Sequence, residues 1–478
     1  MPESITQVQP PLAFIAPDFN PLVYQTARTL LPLWTRWRVK IAEIEVRNPE
    51  RLVELYRQFQ AGESRFMIAF RHPSVNDPFC LLNLLSQAVP AAAKAQGVAL
   101  KQPIHAHFVY DRGIPLWAGS QVGWFFSQLG GTPIRRGGVD LAGLRSVRHL
   151  FANGQFPMMA APEGATNGHT EIVSPIEPGI AQFGFWCAED LKKAGRSEQV
   201  FIVPLGIRYH YITPPWQAIE TLLDQLEADC GLPLCNEANL PQITASIQPE
   251  HLLLYRRLLR LGEHLLSLME RFYSKFYHQD LTLSVPLPAS RNAQITLRLQ
   301  ALLNAALTVA EQFLGLPAKG SVTDRCRRIE QAGWERIFRE DLEPNAPAAE
   351  RGLADRIAEE ADLRLWHMRL VESFVSVTGH YILEKPTANR LAETLLLIWD
   401  TVTKLKRQDA TARPLLGRQR AELTVGEPIA VSERWPDYQT NRRQASAQLT
   451  QDLQMALESL IEEPDESWTH SSDKNSSL

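Results

Sequence analysis

The chain has 478 residues, more than one ordinary core accommodates, and at 45% apolar and 21% charged residues it reads as a globular protein. Its formal net charge of -4 supplies no bulk attraction for nucleic acid, so no nucleic-acid partner is expected and any basic surface is local. Five cysteines (Cys80, Cys187, Cys230, Cys235 and Cys326), none in a Cys-x-x-Cys pair, argue against a disulfide framework or a zinc ribbon and fit a reducing cytoplasm.

In chain order, residues 1–20 carry loop chemistry and support no assignment. Residues 21–40 set Val23, Ala27, Leu30, Trp34 and Trp37 on one helical stripe, with a break or kink expected near Pro32. Four cations (Arg28, Arg36, Arg38 and Lys40) and no carboxylate accompany that stripe. Such a helix suits either a lipid interface or packing on the domain. No apolar run is long enough to span a bilayer and no signal pattern opens the chain, so a membrane role would be peripheral.

From Val39 to about Gly206, short β-like runs alternate with helical stretches. VKIAEIEV, RFMIAF, HAHFVYD, TPIRR, PMMAAPEG and VFIVPLGIRYH read as strands, the last with Pro204 at a terminus or edge. ERLVELYRQFQAG, residues 78–96, GWFFSQLGG and LAGLRSVRHLFANG read as helices. This alternation predicts an α/β fold, a mostly parallel sheet flanked by helices. Residues 216–410 are almost wholly helical by period, clearest where Leu254, Leu258, Leu261, Leu265, Phe272 and Phe276 share a stripe, with proline-rich breaks near 282–290 and 343–347. A strand signal returns at AELTVGEPIAV (421–431), a final helix follows over about 440–461, and the polar tail 463–478 is expected to be disordered.

Open parallel sheets place chemistry at the carboxyl ends of their strands, and three loops there hold candidates. In FRHPSVNDPF, His72 can take a proton from an alcohol near neutral pH, and Asp77 can hold the imidazole in the right tautomer. The same Asp77-Pro78 pair also reads as a helix cap with proline at the first helical position. In GGTPIRRGG (130–138), Arg135 and Arg136 beside a helix start suit a phosphate, or are solvated surface arginines. In APEGATNGH (161–169), Glu163 could bind a polyol hydroxyl and Gly164 could admit a ligand close to the backbone; an ordinary turn with a surface His169 reads equally well. No metal site is suggested.

Taken in order, these motifs resemble the glycerolipid acyltransferases, most closely the 1-acyl-glycerol-3-phosphate acyltransferases. His72-Pro-Ser-Val-Asn-Asp77 matches that family's His-x4-Asp motif, and Gly131-Thr-Pro-Ile-Arg135-Arg136 its glycine–strand–arginine motif, with Arg136 the better match. Pro162-Glu163-Gly164 matches the third motif and then departs, with Ala165-Thr166-Asn167 where Thr-Arg-Ser is common; Val203-Pro204 matches the fourth. The resemblance covers about residues 20–215, and AELTVGEPIAV looks like the family's closing strand.

The resemblance implies a discontinuous acyltransferase domain, 20–215 plus 416–462, interrupted by a helical insertion of unknown role, 216–415. It implies transfer of a fatty acyl group from an acyl-CoA or acyl carrier protein thioester to a lysophospholipid hydroxyl, without a further cofactor, by a cytoplasmic protein peripheral to the inner face of a membrane. His72 would be the general base, Asp77 its partner, Arg135 and Arg136 the phosphate holders, and Glu163 with Gly164 the glycerol site. Backbone N–H groups around 73–79 are the expected oxyanion donors. Arg256, Arg257 and Arg260 would meet an acidic carrier protein or form a solvated helix face. The most favoured acceptor is 1-acyl-glycerol-3-phosphate, but the departure after Gly164 leaves another lyso- or glycolipid acceptor open. Two other classes stay open: a non-catalytic membrane-associated lipid-binding protein, and a thioester hydrolase.

Overall fold

Alternating apolar segments on either side of the long helical stretch come together in one sheet. The computed structural model of the chain describes residues 5–114, 118–135, 140–233, 249–282, 290–343, 345–372, 374, 381–408 and 413–462. Among these, eight strands are β1 (Ile41–Arg47), β2 (Ser64–Phe70), β3 (His107–Asp111), β4 (Thr132–Ile134), β5 (Met158–Ala160), β6 (Gln199–Tyr211), β7 (Gln419–Val425) and β8 (Ile429–Ala430). Their order is β1-β7-β6-β2-β5-β3-β4, with β8 also on β6. Every pairing is parallel except those of β6 with β7 and β8, so the sheet is mostly parallel and flanked by helices.

β2 shows why the sheet is covered on both faces. Phe66 and Ile68 enter one core with Leu52, Tyr56, Leu81 and Leu84. Met67 and Ala69 enter the other with Val147, Phe151, Phe185 and Leu453. A strand buried on both sides reads as the unbroken apolar run that RFMIAF is. The helices on these faces include α1 (Pro21–Trp37), α2 (Pro49–Ala61), α3 (Asp77–Asn83), α4 (Val89–Ala95), α5 (Ser120–Gln128), α6 (Leu141–Asn153) and α7 (Gly179–Lys193).

Several readings need correcting. α1 runs unbroken through Pro32, which lies on its exposed side, while Thr35 Oγ1 donates to Leu31 O on the buried side. The face it buries is Tyr24, Leu31 and Thr35; of the expected stripe, Leu30 and Trp34 are exposed on the border of the large cavity and Trp37 is 82% exposed. The single helix read over 78–96 contains a π-helical turn, Leu84–Ala88, in which Val89 N bonds Leu84 O. Pro90 cannot donate to the preceding turn, and the widened ladder accommodates it. α7 carried no assignment from sequence.

Pro204 is not at an edge or terminus but inside β6, a central strand. Its carbonyl accepts from Gly426 N (2.8 Å), and it falls between the β8 pairs at Phe201 and Ile202 and the β7 pairs that begin at Leu205. Its missing N–H therefore faces the gap where one antiparallel neighbour replaces the other.

Between β6 and β7 the chain forms α8 (Trp216–Asp229), α9 (Pro249–Tyr277), α10 (Arg291–Leu314), α11 (Val322–Ile337), α12 (Ala348–Glu372), α13 (Tyr381–Glu384) and α14 (Ala388–Leu405). Leu254, Leu258, Leu261 and Leu265 are buried as their stripe predicts, whereas Phe276 at its end is 63% exposed. Ile5, Val8 and Leu12 pack on this bundle and Gln9 bridges to Phe338, so the unassigned N-terminal segment has a partner. After β8 come α15 (Trp435–Thr440) and α16 (Arg442–Glu462). The tail 463–478, residues 283–289 and Pro344 lie outside the described residues.

Candidate functional site

β2 ends at Phe70, and the next six residues form a loop over the carboxyl edge of the sheet. His72 Nδ1 donates to Asp77 Oδ2 at 2.7 Å, and the same oxygen accepts from Ser74 N at 3.1 Å. The other oxygen, Oδ1, accepts from the Tyr209 hydroxyl at 2.5 Å. Asp77 is fully buried and His72 is partly exposed on the wall of a large cavity. The cap reading needs revision: α3 begins at Asp77 itself, and the carboxylate turns back to Ser74 rather than capping the helix. Asp77 therefore fixes the histidine and the loop together, and Nε2 remains for a proton exchanged with a ligand.

Four of the N–H groups expected to hold an oxyanion are spent on the loop. Ser74 N binds Asp77, Asn76 N binds Ser74 Oγ, Asp77 N binds Ser74 O and Phe79 N binds Asn76 O.

Two residues at this site carried no signal in the sequence. Tyr209, on β6, is buried against Asp77 and Cys80; burial first, then the Asp77 charge, push its hydroxyl well above the usual range, so it stays a donor. Burial likewise pushes the Cys80 thiol up to about 12, which makes it inert. Arg71, also fully buried, donates to the carbonyls of His169, Thr170, Ile172 and Ile207. It ties the histidine loop to the loop after β5. Burial lowers its pKa, opposed by the nearby Glu163, Glu393 and Asp77 charges.

Glu163 is buried and accepts from His72 N (2.8 Å), Ser174 N (2.9 Å) and Asn167 Nδ2 (3.1 Å). These bonds give it a task the sequence did not suggest: it positions the backbone of His72. Gly164 has φ +71°, and a Cβ there would lie 2.6 Å from Glu177 Oε1 and 3.1 Å from an Arg327 nitrogen. The left-handed backbone thus calls for glycine, the close neighbours being tips of flexible side chains, and the residue also borders the cavity. His169 is no surface residue: it is fully buried, edge-on to Tyr381 and 3.7 Å from Glu393 of α14.

Arg135 follows β4 with its backbone N–H on Asp140 (2.8 Å) and its guanidinium 6.0 Å from the Trp334 ring. Its Nε and one terminal nitrogen are buried without a hydrogen-bond partner, and the residue borders the cavity. Arg136 lies outside the described residues.

The cavity, about 3090 Å³, runs from these loops to α1, α9, α11, α12 and α14. Arg327 and Trp334 of α11 reach the loops over Gly164 and Gly113, and Arg413 stands 3.6 Å from where a Gly168 Cβ would be. Arg327 is engaged by Glu177, Glu330 and Glu372, and Arg413 pairs with Asp400. Farther off, Arg257 is buried and bound to Asp224 and Glu227, so Arg256, Arg257 and Arg260 do not make one exposed basic patch.

Among the described residues no group of three or more His, Cys, Asp or Glu is arranged for a metal ion, and no helix is long and apolar enough to cross a membrane. Comparison with protein-family models, with curated proteins and with solved structures gives no match.

Proposed function

We propose that this protein is an O-acyltransferase that moves a fatty acyl group from an acyl-CoA or acyl carrier protein thioester to the free hydroxyl of a lysophospholipid, 1-acyl-glycerol-3-phosphate foremost. The observation that carries the reading is the His72–Asp77 pair, 2.7 Å apart, on the wall of a cavity large enough for a lipid. His72 Nε2 takes the acceptor's hydroxyl proton as that oxygen attacks the thioester carbonyl. The tetrahedral adduct collapses, the C–S bond breaks, and the imidazolium returns the proton to the leaving thiolate. Asp77 stabilises the imidazolium throughout. The thiol leaves readily, so no acyl-enzyme is required.

Arg135 supports a phosphate-bearing acceptor, because its unpartnered guanidinium nitrogens suit a bidentate anion. Arg136 shares that role in the proposal. Glu163 acts here as a positioning residue, and Gly164 lines the path of the glycerol.

In this reading 20–215 and 416–462 form the catalytic domain around the sheet, and 216–415 is an insertion that roofs the cavity. α1 rests on the cytoplasmic face of a membrane: Leu22, Leu30, Leu33, Trp34 and Trp37 are exposed beside Arg28, Arg36, Arg38 and Lys40.

The test is mass spectrometry of the products formed from a panel of lyso-acceptors with both donor types. Acceptor-dependent esterification is expected, strongest with a phosphate monoester headgroup. Free fatty acid formed without acceptor would make the protein a hydrolase, and no turnover of either donor would leave a binding protein.

A further inference from the structure

A second cavity, about 170 Å³, lies inside the helical bundle between α9, α10, α12 and α14. Leucines and isoleucines of these helices form most of its wall. The polar side chains on that wall all have partners elsewhere. Glu263 binds Arg291, Tyr255 bonds Asn292, and the hydroxyls of Tyr273 and Tyr381 reach His367 Nδ1 and Glu393, each at 2.6 Å. Thr394 and Thr401 donate to carbonyls of their own helix, Arg390 O and Leu397 O. Buried water needs two to four polar partners, and this space does not supply them.

Gly262 adds a separate observation. It sits in the middle of α9, where glycine is the least favourable residue short of proline. Its φ lies outside the left-handed region, and a Cβ would meet nothing nearer than Ile398 Cδ1 at 4.0 Å. Neither the backbone nor a neighbour requires glycine here; its effect is to keep the wall open. Met269 and Leu397 border both this space and the large cavity that holds His72, so the two are adjacent.

We infer that the helical bundle houses a hydrocarbon chain in this pocket, entering from the large cavity past Met269 and Leu397. The chemistry is shared by two sources, the acyl chain of the donor and that of the acceptor; naming either rests on the transferase reading, whereas the pocket itself does not.

The test uses the full chain and cis-parinarate, a fatty acid that fluoresces in apolar surroundings. Wild type and Gly262→Ala should bind it alike, and Gly262→Phe should bind it at least ~10-fold more weakly, with an unfolding midpoint no lower than wild type because a void is filled. Absence of saturable binding to wild type overturns the inference, as does a folded Gly262→Phe that binds as tightly. Should Gly262→Phe fail to fold, Leu299→Ala decides. It enlarges the pocket and should shift preference toward longer free fatty acids, and unchanged preference overturns the inference. In transfer assays, Gly262→Phe should shorten the longest chain accepted on one substrate, and series varied separately on donor and acceptor identify which. Binding that follows this pattern in a protein that transfers no acyl group leaves the pocket standing and removes the transferase reading.

Discussion

Arg71 and Glu163 on the sheet side of the large cavity and Arg390 and Arg327 on its helical wall use charge in different ways. On the sheet side, Arg71 gives its guanidinium to backbone carbonyls of the loop after β5 and of β6, and Glu163 takes backbone N–H groups of two loops. On the helical side, charge meets charge: Arg390 of α14 binds Glu171, and Arg327 of α11 binds Glu177 and Glu372. A side chain bonded to backbone fixes the path of the chain, which suits loops that must hold His72 in one place. Ion pairs between side chains join two surfaces and leave each backbone independent, which suits a roof over a cavity.

Removing Arg71 should break that contrast most sharply. Arg71→Met leaves buried carbonyls without donors and takes the counter-charge from Glu163 and Glu393, at a cost of about 3–5 kcal/mol. Calorimetric unfolding checks this, and an unchanged midpoint would show that the loops are held by something else.

A smaller effect tests whether the two regions respond alike to acid. Burial lowers His105, behind the sheet, to about 4, and lowers His367, in the helical bundle, to about 3. Both pKa values are depressed from about 6.5, so their stabilising contribution is complete above that pH. It is lost as pH falls, through about 4 for His105 and about 3 for His367, at about 1.4 kcal/mol per pH unit for each proton taken up on unfolding. Denaturant titrations from pH 7 downward should show the loss beginning near pH 6.5, and His367→Gln should remove one proton's share of the slope. An unchanged slope in that variant contradicts a neutral buried His367.

The loops that carry His72, Arg135 and Glu163 were legible because alternation of strand and helix places them at one edge of the sheet, and each candidate follows a strand by a few residues. Arg71, Tyr209 and Glu393 were not, because the site loops they bind lie about a hundred or more residues away and nothing local distinguishes them. Pro204 was misread for a related reason: the gap that tolerates it is made by β7 and β8, more than two hundred residues later in the chain. In α1, period alone finds a helix but not which side it buries, since Trp34 and Trp37 fall on the apolar stripe and yet are exposed.

The proposed function makes His72 the general base of an acyl transfer. The direct measurement is the initial rate of ester formation from lysophosphatidate and an acyl thioester by His72→Ala, with its fold verified against wild type. A fall of ~100- to 10,000-fold is predicted. An active wild type whose His72→Ala variant transfers at a comparable rate would contradict it.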